Sequence, residues 1–168
     1  MNENHTTSIR RLHSGDEETA RQLLLRIKTT PTPTVALPAT ESFVKLLQRD
    51  DVYLLVAGPP AEPTGFLLAY RLPRLDRDCD MVCLYELEVH PRHRRQGIGK
   101  SLVRAMMAIC RKSTVMKMWV STAATNRAAS ALYTATGFNP KGGAASLEFS
   151  WTREVCEEEE KEPTVPDF

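Results

Sequence analysis

Residues 84 to 102, LYELEVHPRHRRQGIGKSL, constrain this chain more tightly than any other segment. An apolar run that reads as a strand ends at His90-Pro91. A basic turn follows, Arg92-His93-Arg94-Arg95-Gln96, then Gly97-Ile98-Gly99, and a helix opens at Lys100-Ser101-Leu102. A strand, a glycine-containing turn and a helix N-terminus in that order make an anion site, because unbonded backbone N–H groups and the positive end of the helix dipole converge on one place. Glycine lets the backbone approach a phosphate where a Cβ would collide. Arg92, Arg94, Arg95 and Lys100 add charge that suits a pyrophosphate.

Three anion motifs compete for the turn. Gly99-Lys100-Ser101 has the look of a P-loop end, but the glycine that motif needs falls on Arg94. The dinucleotide fingerprint needs a third glycine at Leu102, and fails too. The third pattern, Arg/Gln-x-x-Gly-x-Gly/Ala, is fitted fully by Arg94-Arg95-Gln96-Gly97-Ile98-Gly99. On this segment alone, a tight strand-to-helix turn with a solvated basic face explains the residues as well.

Residues 126 to 138, NRAASALYTATGF, add a second pattern: Asn126, Ala129, Leu132, Tyr133, Gly137 and Phe138 fall in register with Asn-x-x-Ala-x-x-Leu-Tyr-x-x-x-Gly-Phe. Together the two segments resemble the acyl-CoA loop and the second signature of the GNAT acetyltransferases. Gly65 to Arg74, Leu84 to Val89 and His93 to Ile98 narrow the likeness to the type I aminoglycoside 3-N-acetyltransferases. Glu41 to Leu47 also resembles them, so the similarity spans about residues 40 to 138 and fades at both ends. Two positions depart from that subfamily: Glu86 stands where it has an aspartate and Glu88 where it has an alanine.

Composition bounds the rest. The chain has 168 residues, 42% hydrophobic and 26% charged, enough for one domain with a sizeable core. No run of about 18 apolar residues occurs, so no membrane span is expected. Met1 to His5 is polar, without the apolar core of a signal peptide, and a cytoplasmic location is expected. Cys79, Cys83, Cys110 and Cys156 form no Cys-x-x-Cys pair and do not join the four histidines at zinc spacing, so no metal is expected. Cys110 reads as core. The segment from Glu154 to Phe168 holds seven acidic residues and one lysine, net −6, which leaves +7 on the remainder of a chain totalling +1. The expected organisation is one domain over residues 1–152 and an acidic, disordered tail over 153–168. That tail solubilises the chain, shields the CoA site or recruits a cationic substrate.

Along the chain, strands are expected at Ser8 to Leu12, Tyr53 to Ala57, Thr64 to Leu72, Met81 to His90, Val115 to Val120 and Ala145 to Trp151. Helices are expected from about Asp16 to Lys28, at Glu41 to Gln48, at Lys100 to Arg111 and through the second motif to Gly137. Thr29 to Pro38 and Gly58 to Pro63 are proline-rich breaks, and Pro73 to Asp80 is a charged loop. Hairpin strands mixed with crossover helices argue an α/β sandwich around one mixed sheet. The resemblance sharpens this to the GNAT fold: a mostly antiparallel sheet with a splayed central strand, flanked by helices.

The same resemblance implies acetyl transfer from acetyl-CoA to a primary amine by direct attack on the thioester. Such a reaction needs a base for the amine proton and a donor toward the departing thiolate. By resemblance Tyr133 is the donor. Glu86 and Glu88 are the base candidates; two apart in a strand, they share a face unless a bulge intervenes. They serve equally well as an acidic wall for a cationic substrate. Leu87 and Val89 are expected to bond the pantetheine arm through their backbone. Arg94, Arg95, Gln96, Gly97, Ile98, Gly99, Lys100 and Ser101 are expected to hold the pyrophosphate, with Asn126 and Ala129 near the pantetheine. Arg92, His93 and Arg95 are weaker candidates for the 3′-phosphate, with a solvent-facing role as the alternative, and His90 reads as a capping residue.

Four functions compete. The first is acetylation of the 3-amine of an aminoglycoside antibiotic, with Asp76, Asp78, Asp80, Glu86 and Glu88 as an acidic pocket. The second is acetylation of a polyamine or of a protein amine. The third is a non-catalytic acyl-CoA sensor, which has no need of a donor at Tyr133. The fourth, nucleic-acid binding, rests on one basic turn without interleaved aromatics and is not expected. Partners are therefore acetyl-CoA and a cationic amine. The family often dimerises through its C-terminal strands, which here depart from the type I enzymes, and a homodimer is the expectation.

Overall fold

The strand Val52–Ala57 carries no polar break, and all six of its residues are buried. A run of that kind is stable only where both of its faces are covered. The computed structural model describes residues 8–27, 37–143 and 146–153. Among them seven strands form one sheet: β1 (Ile9–Arg11), β2 (Val52–Ala57), β3 (Gly65–Pro73), β4 (Asp80–Val89), β5 (Val115–Ala123), β6 (Asn139–Gly142) and β7 (Ser146–Thr152). Their order is β1-β2-β3-β4-β5-β7-β6. Every adjacent pair is antiparallel except β4 and β5, which are parallel. A parallel pair needs a long crossover, and α3 (Ile98–Arg111) supplies it.

The two faces of the sheet carry separate cores. On one, Tyr53, Leu55, Leu67, Val82 and Leu84 pack with Leu102, Val103, Met106 and Cys110 of α3 and with Tyr133 of α4 (Arg127–Thr134). On the other, Leu54, Val56 and Phe66 pack with Ala20 and Leu23 of α1 (Glu17–Arg26) and Phe43 and Leu47 of α2 (Thr40–Leu47). The alternation of β2 thus serves both layers. In α3 the buried positions fall three and four apart, the spacing of one helical face. Truncating fully buried Leu102 or Met106 to alanine would cost about 2–5 kcal/mol.

The elements match the sequence expectation in type and order and differ in places: α4 stops at Thr134, three residues before the expected Gly137, and β5 runs to Ala123, three beyond the expected Val120. α3 begins at Ile98, two residues before the expected Lys100, because Gly97 takes the N-cap in a left-handed conformation, φ 81°. Pro91–His93 forms a short 3-10 turn. β6 was not expected: Asn139–Gly142 is exposed throughout and contains Pro140, a composition that only an edge strand tolerates. It forms the outer edge of the sheet against β7. The expected acidic segment 154–168, Cys156 and most of the expected loop at 29–38 lie outside the described residues. No helix among the described residues is long and apolar enough to cross a membrane.

Candidate active site

Apolar residues in β4 change parity. Val82 and Leu84 face the α3 side of the sheet, and so do Leu87 and Val89. One extra residue must lie between the two sets. The register supplies it: Ala69 pairs with Leu84 and Leu68 with Glu86, which leaves Tyr85 as the bulged residue. Because the bulge precedes both glutamates, Glu86 and Glu88 still share a face, as expected. Their cross-strand partners are Leu68 and Phe66, so both point to the α1/α2 side of the sheet. Both are half-buried.

The bulge coincides with the parting of two strands. β4 and β5 pair from Asp80↔Val115 to Cys83↔Trp119 and no further. β5 then continues along β7 as far as Ala123↔Ser146. Beyond Cys83 the β5-facing edge of β4 therefore has no strand partner among the described residues. The amide of His90 bonds the Thr64 carbonyl at 2.9 Å. By antiparallel alternation, Glu88 and Glu86 aim their backbone groups at β3, and Leu87 and Val89 aim theirs into the gap. The Val89 carbonyl is already taken, by Arg94 Nε at 3.1 Å. Both backbone groups of Leu87 and the amide of Val89 face the opening.

The basic turn closes the end of this gap. Arg95 has φ 63°, the one positive value outside glycine among the described residues, and Gly97 has φ 81°. A left-handed non-glycine residue costs about 1–2 kcal/mol. That strain turns successive amides toward one side, as an anion-binding nest requires. Among the described residues no acceptor meets the amides of Arg95, Gln96, Gly97, Ile98, Gly99 or Lys100. The Ser101 amide differs: it bonds the Gly97 carbonyl at 3.0 Å, so only its hydroxyl remains for a ligand. The Gln96 side chain bonds the Arg92 carbonyl at 3.3 Å and, like that of Arg94, braces the turn. Among the described residues no ion pair involves Arg92, Arg94, Arg95 or Lys100.

Gly99 joins the pieces. A Cβ there would lie 3.4 Å from Leu132 Cδ2 and 3.6 Å from Leu87 Cδ2. Helix α4, the gap edge of β4 and the start of α3 thus meet at one residue. Tyr133, next to Leu132, is 5% exposed. Its ring packs on Phe138 at 5.8 Å and Phe149 at 5.5 Å. Burial alone, with no hydrogen bond entering, pushes its hydroxyl up to about 12. Asn126 caps α4, its Oδ1 accepting from the Ala129 amide at 3.1 Å. His90 caps the 3-10 turn, Nδ1 accepting from the Arg92 amide at 3.3 Å. Cys110 lies in the core of α3, its thiol pushed up to about 12 by burial, and carries none of the marks of a nucleophile.

Two members of the expected acidic pocket are elsewhere. Asp80 opens β4, six residues or about 20 Å before Glu86. It is bound by the Thr114 hydroxyl and then by Arg71, which hold its carboxyl below the usual range against the opposing effect of burial. Asp76 is paired with Arg74. A cleft of about 630 Å³ lies between Arg111, Gly137, Lys141, Trp151 and Arg153. It sits at the C-terminal end of α3, a helix length of about 20 Å from the turn, and its lining offers no group to accept an amine proton. Among the described residues no cluster of His, Cys, Asp and Glu is placed to hold a metal.

The sequence reading missed Tyr85 and the role of Gly99 in joining three elements. The parity change in VCLYELEV was the available signal for the first; contacts between distant segments left none for the second.

An open strand edge beside an amide nest offers hydrogen-bonding groups to an extended ligand that carries an anionic group. Residues 18–138 match the Acetyltransferase (GNAT) family. The chain belongs to that family. It is similar to the [ribosomal protein bS18]-alanine N-acetyltransferase of Escherichia coli (strain K12), 37% identical over 60 residues, which span 36% of this chain and 40% of that one. Its fold is similar to that of an aminoglycoside acetyltransferase from an uncultured soil metagenomic sample in complex with sisomicin: TM-score 0.72, 25% identity, covering 78% of this chain and 87% of that one. Arabidopsis thaliana NAA60 in complex with acetyl-CoA shares the fold at TM-score 0.67 and 18% identity, over 88% and 98% of the two chains.

Proposed function

We propose that this protein is an acetyl-CoA-dependent N-acetyltransferase that modifies a primary amine of a small cationic molecule, with the 3-amino group of an aminoglycoside as the first candidate. The observation that carries the reading is the β4 edge at Leu87 and Val89, unpaired among the described residues, which runs into six amides from Arg95 to Lys100 that meet no acceptor among those residues. The residues present fit acetyl-CoA. The nest and the charges of Arg95 and Lys100 hold the pyrophosphate, with the Ser101 hydroxyl in reach. Leu87 and Val89 hydrogen-bond the pantetheine amides as an added strand would, beside Asn126 and Ala129. Arg94 and Gln96 keep the turn in shape.

Glu86 and Glu88 lie on the acceptor side of the same strand. Glu86 accepts the amine proton as nitrogen attacks the thioester carbon, and Glu88 helps to hold the cation in place. As the C–S bond breaks, negative charge collects on sulfur. A thiol ordinarily titrates near 8.5, and Tyr133 at about 12 is the weaker acid. Tyr133 therefore stabilises the sulfur by hydrogen bonding, and full proton transfer, the role implied by the motif, follows only through solvent.

The partial sequence match to a ribosomal-protein alanine acetyltransferase favours a second reading, in which the acceptor is a protein N-terminus. One experiment separates the two: release of CoA thiol from acetyl-CoA with gentamicin, spermidine or an alanine-initiated peptide. Turnover with gentamicin supports the first reading, and turnover with the peptide alone replaces it by the second. No turnover with any of them, despite tight CoA binding, supports a sensor.

A further inference from the structure

Tyr85 is the residue that the β4 bulge ejects, and 68% of it is exposed. Its ring meets Tyr70 in a T-shaped contact, centroids 5.4 Å apart at 78°. Tyr70 stands opposite Cys83, one register step along β3 from the partner of the bulge, so the aromatic pair occupies the Glu86 face of the sheet. Glu86 is the next residue in the chain, and the hydroxyl of Tyr70 lies within its electrostatic reach.

A T-shaped pair leaves ring face uncovered, and an aromatic face beside carboxylates attracts a cation. Among the described residues the cations over aromatic rings are Arg11 on Tyr53 and Arg111 on Trp151. None covers Tyr85 or Tyr70. Arg49, the cation nearest in charge to Tyr70, is clamped by Asp51 through two bonds of 2.9 and 2.7 Å. Tyr85 lies two residues, about 7 Å, before Leu87, whose backbone marks the gap edge.

We infer that Tyr85, backed by Tyr70, is a specificity-determining residue: its ring holds a second cationic group of the acceptor, remote from the nitrogen that reacts. The inference rests on the acetyltransferase reading for its chemistry but not for its binding. The acceptor is thereby a di- or polycation, its remote charge on the ring and its reacting amine at Glu86. A monoamine fills the reaction position and leaves the ring empty.

The test compares 1,5-diaminopentane with 1-aminopentane by calorimetry on the CoA-bound protein, and by turnover with acetyl-CoA. Tyr85→Phe keeps the ring and Tyr85→Leu removes it, at a site exposed enough that neither threatens the fold. Wild type and Tyr85→Phe should prefer the diamine by about 3- to 30-fold, and Tyr85→Leu should lose that preference with monoamine binding unchanged. A wild type without preference for the diamine, or a Tyr85→Leu variant that keeps it, overturns the inference. Preference in binding without acetyl transfer supports the cation site and counts against the acetyltransferase reading alone.

Discussion

Arg94 reaches back along its own turn and hydrogen-bonds the carbonyl of Val89 at 3.1 Å. The bond ties the amide nest to the strand edge, so one ligand meets both in a fixed relation. Arg94→Met keeps the aliphatic stem and deletes the donor. A charge-assisted bond of this kind is worth about 1.5 kcal/mol, so the Kd for CoA should rise about tenfold in titration calorimetry. Arg94→Lys, which restores charge without the planar fork, should recover part of the loss. Unchanged affinity in both would detach Arg94 from the site.

Tyr133→Phe removes one hydroxyl from a packed aromatic cluster and leaves its three rings in place. Loss of a donor aimed at developing charge typically costs about 10²-fold in rate. Steady-state kinetics should show that fall in kcat with the KM for acetyl-CoA nearly constant. Wild-type turnover in the variant would remove Tyr133 from the chemistry and leave it a core residue.

Alkaline pH should unfold the protein through the same ring. Burial raises Tyr133 from its ordinary 10 and Cys110 from its ordinary 9, each to about 12. Both groups must stay protonated while folded. Their contribution is complete below pH 9 and is lost as pH climbs toward 12, by about 3 kcal/mol for Tyr133 and about 4 for Cys110. Urea denaturation from pH 8 to 11.5 should show that decline, shallower in Tyr133→Phe and in Cys110→Ala. A pH-independent midpoint over this range would contradict the burial of both groups.

The outline of the sheet and the anion turn were legible because they rest on local signals. Short apolar runs on either side of the proline-rich turn at 58–63 mark β2 and β3, glycine and arginine mark the anion turn, and Asn126 marks the start of α4. The start of α3 was misjudged by two residues because Gly97 reads as turn whether it precedes a helix or caps one. β6 was invisible, since Asn139–Gly142 has no apolar pattern and exists through pairing with β7. The acidic pocket was drawn too large because proximity in sequence placed Asp76 and Asp80 beside Glu86. Both are spent on arginines, and Asp80 opens the far end of β4. The bulge at Tyr85 is legible as a parity change between Leu84 and Leu87.

Glu86→Gln should flatten the rise of kcat/KM with pH and lower kcat by about 10²-fold, the usual worth of a positioned base. The parallel Glu88→Gln variant should mainly raise the KM for a cationic amine. A Glu86→Gln enzyme with an intact pH profile and a raised KM would make both residues wall, and the base would have to be sought elsewhere.

Hydrogen exchange with and without acetyl-CoA tests the central claim, that the β4 edge and the turn together form the thioester site. Peptides covering residues 86–101 should exchange more slowly on addition of acetyl-CoA, since the amides of Leu87 and Val89 face the gap and those of Arg95 to Lys100 meet no acceptor among the described residues. Gly97→Val, which forces a β-branched residue to φ 81°, should abolish that protection and weaken binding at least tenfold. Protection confined to the cleft at Arg111 and Arg153, with residues 86–101 unchanged, would contradict the account.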